Sequence, residues 1–355
     1  MVVSMVVIAY NEEKTLQAVL TGIEKQNYSH SDMEVLLVDS ASTDGTKKIM
    51  QEFARRNAEE LGFRRVVLLD NPKKTLPCGW NVALKEYRGE VILKVDAHAT
   101  IPEDFVTKNV RTLEEGEDIC GGQRPNIIDE PTPWKETLLL AESSMFGSSF
   151  ANYRRGGKGQ TQKQYVNSLF HGAYRRKVFD KVGGFDERLA RTEDNDIHYR
   201  MRKAGFKIRF NPDIISYQHI RSSLKSMLKQ KYANGYWIAL TTAVQPKALS
   251  AFYFVPYAFV LAILVSSIVL TAGGLLGLHG VFMKLVAHLA GIMWILYWCL
   301  AIIMAMAAGV ANHGKKAYIP LLPVLFFLLH ISYGVGTLIG FINLPFESKK
   351  FRGQD

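Results

Sequence analysis

The sequence predicts an α/β unit built on a wound, mostly parallel sheet, followed by an all-α transmembrane region. Three observations predict it. Continuous Val/Ile/Leu runs alternate with helical patterns across the first hundred residues. Residues 1–249 mix charged and apolar stretches as soluble enzymes do. From Ala251 to Asn343 charge nearly vanishes, apart from Lys284 and the Lys315-Lys316 pair. The 355 residues leave room for two or three structural units at roughly 100–200 residues each.

The strands come first. Val2–Tyr10, Glu34–Asp39, Arg64–Asp70 and Glu90–Asp96 are continuously apolar rather than alternating, as strands buried on both faces are. The opening "MVVSMVVIAY" has no basic segment and no small-residue cleavage site, so it reads as a strand rather than a signal peptide. Between the strands lie three helical patterns. Glu12–Gln26 follows Asn11, a candidate N-cap; Thr46–Leu61 stops at Gly62; Pro77–Tyr87 stops before Gly89. Such alternation predicts a parallel sheet with helices on both faces.

Ligands of wound sheets bind outside the carboxyl ends of the strands. Here those ends are Tyr10-Asn11-Glu12, Asp39-Ser40, Asp70-Asn71 and Asp96-Ala97-His98. No strand runs into Gly-x-Gly-x-x-Gly or a Walker-type Gly-x-x-x-x-Gly-Lys. A nucleotide whose phosphates are held by metal therefore fits better than one held by a glycine loop. Asp96 and His98 are two residues apart at a strand end, a spacing at which both side chains share one face. His98 reads either as a metal ligand, as a hydrogen-bond donor to phosphate, or as a cap of the turn before Pro102.

Further along, "RTEDNDIHYRMRKAGF" predicts an amphipathic helix with Ile197, Met201 and Ala204 on one face and Glu193 and Asp194 at its start. Residues 217–238 predict a basic amphipathic helix at the membrane surface, with Leu224, Leu228 and Tyr232 apolar and Lys225, Lys229 and Lys231 basic. Apolar blocks near 251–273, 285–310 and 318–342 each exceed the ~20 residues needed to span a bilayer. The expected organisation is a catalytic domain over 1–216, an interfacial helix over 217–249, about three transmembrane helices over 250–345 and a basic tail over 346–355. A third crossing puts "ESKKFRGQD" on the side opposite the Lys315-Lys316 loop, against the positive-inside rule. Pro320 and Pro323 offer the alternative that the last block is interrupted. The three cysteines form neither a disulfide framework nor a zinc site. The net charge of +10, beside membrane spans, points to membrane lipid or lipid phosphate rather than nucleic acid.

Together "VVIAYNEEKTL", "EVLLVDSASTDGT", "GWNVAL", "LKVDAHA", "FHGAYRRKVFDKVGGFDE" and "RTEDNDIHYRMRKAGF" resemble family 2 glycosyltransferases of the GT-A fold, in consistent order over residues 2–237. The Asp-Ala-His-Ala form and "HISYGVG" are most similar to the succinoglycan-biosynthesis (ExoA-like) branch. The resemblance implies an inverting transfer of a hexose, glucose on the branch's pattern, from a UDP-sugar donor to a polyprenyl-diphosphate-linked saccharide in exopolysaccharide synthesis. Nucleotide sugars are made in the cytoplasm, so the expected enzyme is a multi-pass protein of the cell (plasma or inner) membrane with a cytoplasmic catalytic domain.

Residue by residue, the resemblance places Tyr10, Glu12 and Asp39 at the nucleoside, with Ser40 where a second acid is usual. Asn81 falls where a helix approaches the donor, or is a helix-surface amide. Asp96, with His98, falls at the divalent cation that meets the donor diphosphate; an imidazole favours Mn²⁺ over Mg²⁺. Asp194 is the implied general base, since a sugar hydroxyl needs one at the moment of attack, and Glu193 orients it or holds the acceptor. His171 lies at the start of the acceptor wall, or is a satisfied structural histidine. Gln218 and Arg221 match a Gln-x-x-Arg-Trp element in which Ser222 replaces Trp, and Arg221 is expected on diphosphate. Two other readings stand beside this one: polyprenyl phosphate itself as acceptor, and a non-catalytic nucleotide-binding scaffold.

Overall fold

The computed structural model describes residues 1–147, 164–219, 223–312 and 317–352. Its four N-terminal strands, β1 (Val3–Ala9), β2 (Met33–Asp39), β3 (Arg65–Asp70) and β4 (Val91–Asp96), pair in parallel in the order β3-β2-β1-β4. They are followed by β5 (Ala99–Thr100), β6 (Ile119–Gln123), β7 (Asn126–Ile127), β8 (Gln164–Val166), β9 (Gly172–Arg175), β10 (Ile208–Ile215) and β11 (Tyr217–His219). The main sheet continues β4-β9-β6-β10-β8. There β9 runs antiparallel to both neighbours and β8 antiparallel to β10. A small second sheet has the order β5-β11-β7.

Helices α1 (Leu16–Glu24), α2 (Thr46–Arg56), α3 (Leu76–Glu86), α4 (Phe105–Glu114), α5 (Pro133–Ser143), α6 (Arg176–Val182) and α7 (Glu193–Lys203) complete this half of the chain. Met5, Val7, Leu37, Leu93 and Val95 fill one face of the sheet with α1, α2 and α4. Val6, Leu36, Val38 and Ile92 fill the other with Trp80, Phe179, Ile197 and Met201. Each such side chain contributes about 1.5–3 kcal/mol. Asn11 is not the cap of the first helix, which begins only at Leu16. Its φ of 54° is left-handed and cannot start a helix. Its side-chain oxygen instead accepts from the Thr43 backbone N–H at 2.8 Å.

The chain divides into two compact units, Met1–Ile127 with Ala151–His219, and Ile128–Phe150 with Ile220–Asp355. Thus α5 belongs with the C-terminal helices α8 (Leu224–Val244), α9 (Val255–Leu275), α10 (Val281–Ala311) and α11 (Leu322–Arg352). Among the described residues three stretches are long and apolar enough to cross a membrane: Ala251–Leu275, Val281–Ala311 and Ile319–Ser348. At 1.5 Å per residue they reach roughly 35–45 Å, against a hydrocarbon core of about 30 Å. Pro320 and Pro323 do not interrupt the last one. They lie in a 3₁₀ turn, Ile319–Leu321, and in the first turn of α11, where a missing N–H costs nothing. The Lys315-Lys316 loop lies outside the described residues.

Helix α8 departs from the expected basic surface helix. Leu224 and Leu228 pack on a core of Leu138, Ala141, Met227, Leu325 and Phe326. Lys225 and Lys229 are exposed, but Lys231 is buried, 3.5 Å from Glu142 on α5. A lysine among apolar helices is retained only with a counter-charge, so Lys231 is part of the packing and not of a basic face. Arg221 lies outside the described residues.

Candidate active site

The carboxyl edge of the sheet brings β1, β2 and β4 to one rim. Tyr10 stands half exposed after β1. Asp39, at the end of β2, is buried, and its Oδ1 accepts from the Ser42 N–H at 3.2 Å. Ser40 beside it is buried and hydrogen-bonded to the Asn71 amide at 3.0 Å. Glu12 is held by the turn that follows β1. Its backbone N–H donates to Thr46 Oγ1 (2.8 Å), and its Oε2 accepts from Thr15 Oγ1 (2.6 Å). Its Oε1 lies 3.2 Å from His98 Nδ1. Burial pushes the Glu12 carboxyl up, but the hydrogen bonds from His98 and Thr15 outweigh it and hold the group below its usual range.

His98 is thereby oriented. Its Nε2 lies 3.3 Å from the Gln218 Nε2 on β11. An amide NH₂ can only donate, and an ionised carboxylate can only accept. Nδ1 therefore carries the proton, toward Glu12, and Nε2 carries the lone pair. A histidine backed by a carboxylate in this way has the tautomer of a metal ligand. In this structure that lone pair faces the Gln218 amide, so His98 would join Asp96 on a divalent cation only by giving up the Gln218 contact. Among the described residues no group of three or more His, Cys, Asp or Glu could hold one alone, so further donor atoms have to come from a bound ligand or water. Gln218, expected at an acceptor diphosphate, sits in this structure against His98.

Asp96 is fixed from behind. The buried His171 accepts from the Asp96 backbone N–H through Nε2 (3.2 Å) and bonds Ser216 Oγ through Nδ1 (2.8 Å). Burial, opposed by Asp96, pushes His171 down to about 3, so it is neutral. Its side chain has no exposed surface. In this structure it supports the backbone at Asp96, in keeping with the reading of His171 as a satisfied structural histidine. For Asp96 burial acts upward, but Lys94, His171, His98 and Arg124 outweigh it and hold the carboxyl below its ordinary value.

The second carboxylate centre is the start of α7, where acids also complement the helix dipole. Asp194 is a quarter exposed, and both its oxygens lie 3.0 Å from Lys94 Nζ. Glu193 is buried, and its Oε2 has no hydrogen-bond partner. Burial, then the adjacent Asp194, pushes its carboxyl up to about 8, so Glu193 is protonated near neutral pH. One turn on, the buried His198 bonds Tyr174 OH (2.8 Å) and Ser168 Oγ (3.0 Å). Asn81 donates to the Phe185 carbonyl and Glu187 and accepts from the Phe185 N–H. These bonds hold the 183–187 turn, and a Cβ on Gly184 would stand 2.5 Å from the Asn81 oxygen.

Sequence reasoning missed Lys94, Arg124 and His198. Lys94 had a signal: it is the one charge inside "VILKV", on the strand face that also carries Asp96. Its side chain is 3% exposed. Burial pulls the ammonium down, but Asp194, Asp96 and Glu193 outweigh it and hold the group above its usual range. Arg124 is buried with its guanidinium 4.1 Å from the centre of the Phe170 ring; no local pattern in "GGQRP" marks it.

A wound sheet with this strand order, its acids at the carboxyl edge and a carboxylate-headed helix across from them, defines a GT-A glycosyltransferase fold. The chain belongs to glycosyl transferase family 2, whose family model matches residues 4–183. It is 25% identical over 340 residues to the dolichyl N-acetyl-α-D-glucosaminyl phosphate 3-β-D-2,3-diacetamido-2,3-dideoxy-β-D-glucuronosyltransferase of Methanococcus voltae, covering 94% of this chain and 95% of that protein. It is 27% identical over 239 residues to the succinoglycan biosynthesis protein ExoA of Rhizobium meliloti (strain 1021), covering 65% of this chain and 68% of that one. In fold it is similar to the mannosyltransferase PcManGT of Pyrobaculum calidifontis, solved with GDP-Man and Mn²⁺. The TM-score is 0.57 at 18% identity, over 95% of this chain and 87% of that chain.

Proposed function

We propose that this enzyme transfers a hexose, with inversion, from a UDP-sugar to a lipid-linked saccharide carried on polyprenyl diphosphate. The observation that carries the reading is the pairing of two carboxylate centres on one sheet edge, Asp96 beside His98 and Asp194 on Lys94, in a chain with three membrane-length helices. The near-full-length match to a relative whose name gives a dolichyl-phosphate-linked sugar as acceptor supports the acceptor class. The likeness to a protein named for succinoglycan biosynthesis supports a role in polysaccharide assembly. A cell-membrane location with the catalytic unit on the cytoplasmic side follows from the use of a nucleotide sugar.

Within this reading Tyr10, Glu12 and Asp39 face the nucleoside. Asp96 and His98 would hold a divalent cation, which would supply positive charge against the leaving diphosphate. Asp194 takes the acceptor proton. The acceptor oxygen attacks C1 opposite the nucleotide, so no covalent enzyme intermediate is formed. The test is purified protein with a panel of UDP- and GDP-sugars, offered either a lipid-linked saccharide or polyprenyl phosphate. UDP release with the lipid-linked saccharide is the expected result. Release only with polyprenyl phosphate, giving an acid-labile lipid-phosphate sugar, would replace the acceptor assignment. That alternative is supported by partial likenesses, 31% identity over 36% of this chain and 27% over 42%, to two undecaprenyl-phosphate 4-deoxy-4-formamido-L-arabinose transferases, of Proteus mirabilis (strain HI4320) and Pseudomonas savastanoi pv. phaseolicola (strain 1448A / Race 6).

The metal assignment makes its own prediction. Imidazole suits Mn²⁺ better than Mg²⁺, which prefers oxygen. Activity is expected to need a divalent cation and to prefer Mn²⁺, and His98→Asp is expected to move the preference toward Mg²⁺. Mn²⁺ binding followed by electron paramagnetic resonance should weaken in His98→Ala. Undiminished Mn²⁺ affinity in that variant would remove His98 from the cation.

A further inference from the structure

We propose that Lys94 is a positioning residue for sugar transfer, fixing the Asp194 carboxylate to receive the acceptor proton and acting only through it. The inference rests on Asp194 being the base. Three features of the molecule carry it.

The first is geometry. Lys94 Nζ is 3.0 Å from both Asp194 oxygens, so it contacts the carboxylate symmetrically and fixes the plane of the group. Each oxygen keeps a lone pair for a second partner. Asp194 is 25% exposed while the Lys94 side chain is 3% exposed. The acceptor hydroxyl can therefore approach the carboxylate from the open side while the ammonium holds it from the buried side.

The second is the setting of the ammonium. It lies 5.5 Å from the centre of the Phe170 ring and 6.0 Å from that of Trp80. These rings give it cation–π contact and no competing hydrogen-bond acceptor. The third is cost. A buried ion pair is weak evidence for stability, because the desolvation of both charges offsets their attraction. A lysine in the middle of β4, where its neighbours Leu93 and Val95 are core residues, is thus poorly explained by folding alone.

In the transfer step the acceptor O–H proton passes to Asp194. The oxygen's electron pair forms the new bond to C1, and the C1–O bond to phosphate breaks with its pair leaving on the nucleotide diphosphate. Lys94 keeps its protons throughout. Once Asp194 is neutral the ammonium keeps its cation–π contacts with Phe170 and Trp80.

The test is a double-variant cycle with kcat, donor KM and UDP affinity by calorimetry as readouts. Lys94→Met is expected to lower kcat on the order of 10²-fold, within the range for a general base, with donor KM and UDP affinity unchanged. Lys94→Arg, which keeps charge and hydrogen bonds to the carboxylate, is expected to recover most of the rate. Residues that act as a unit are non-additive. Lys94→Met added to Asp194→Asn should therefore change kcat no further. This arm also serves if Lys94→Met alone fails to fold, because the Asn background carries no unpaired carboxylate at 194. A further tenfold drop in the double variant, or a loss confined to donor KM and UDP affinity, overturns the proposal and assigns Lys94 to the donor. Wild-type turnover in Asp194→Asn would be a separate failure, that of the base assignment.

Discussion

Asp194→Asn is expected to lower sugar transfer by ~10²–10⁴-fold, the range for a lost general base, while leaving nucleotide affinity unchanged. The substitution is nearly isosteric; of the two oxygens now 3.0 Å from Lys94 Nζ, the amide keeps one that accepts from the ammonium and replaces the other with an NH₂ that cannot. What is lost is the acceptor of the proton. The neighbouring Glu193 supplies the internal control. It is buried and pushed up to about 8 by that burial and by Asp194, so near neutral pH it already resembles an amide in charge. Glu193→Gln should therefore cost far less than Asp194→Asn. The two environments drive adjacent carboxyl groups apart in role. Equal losses in the two variants would mean that the pair acts as one unit, and an equal loss of UDP binding in Asp194→Asn would make it a donor contact. Initial rates at saturating acceptor, with UDP binding by calorimetry, separate these outcomes.

The sequence made some of this legible because the physics is local. A strand buried on both faces is apolar throughout, so β1 to β4 stand out, and their carboxyl ends follow from the wound topology. Asp39, Asp96 and His98 could be read there. The antiparallel β9 could not: its four residues, Gly172–Arg175, are too few to show a period. Contacts between distant residues were equally hidden. The partner that turns His171 into a buried support is Ser216, 45 residues away, and the one that buries Lys231 is Glu142, 89 residues away. Lys231 looked basic and exposed because helical spacing reports the face of a residue but not what covers that face. Asn11 misled for a different reason. Asn favours both helix caps and the left-handed conformation, and here tertiary bonding to Thr43 selected the latter.

The same distinction between pattern and contact governs the C-terminal helices, where glycine spacing carries the prediction. Gly336 and Gly340 form a Gly-x-x-x-Gly pair on α11, and such pairs let helix backbones meet. Here they meet α8. A Cβ at Gly340 would stand 2.6 Å from the Tyr236 carbonyl oxygen, a Cβ at Gly336 would press on the Tyr232 carbonyl, and one at Gly235 on the Tyr333 carbonyl. The obstacle in each case is backbone, which cannot rotate away as a side chain could. Gly336→Leu is expected to cost about 3 kcal/mol, the upper end of the overpacking range, or roughly a 10²-fold shift toward the unfolded form. Gly291 on α10 has nothing within 4 Å of a Cβ, so Gly291→Leu should leave stability unchanged. Urea unfolding in detergent, followed by tryptophan fluorescence, compares the two. If both variants unfold alike, added bulk in any apolar helix is the cause. If Gly336→Leu matches the unsubstituted protein, α8 and α11 do not meet through these glycines, and the segment from Leu224 to Val244 is free of the apolar helices rather than built into them.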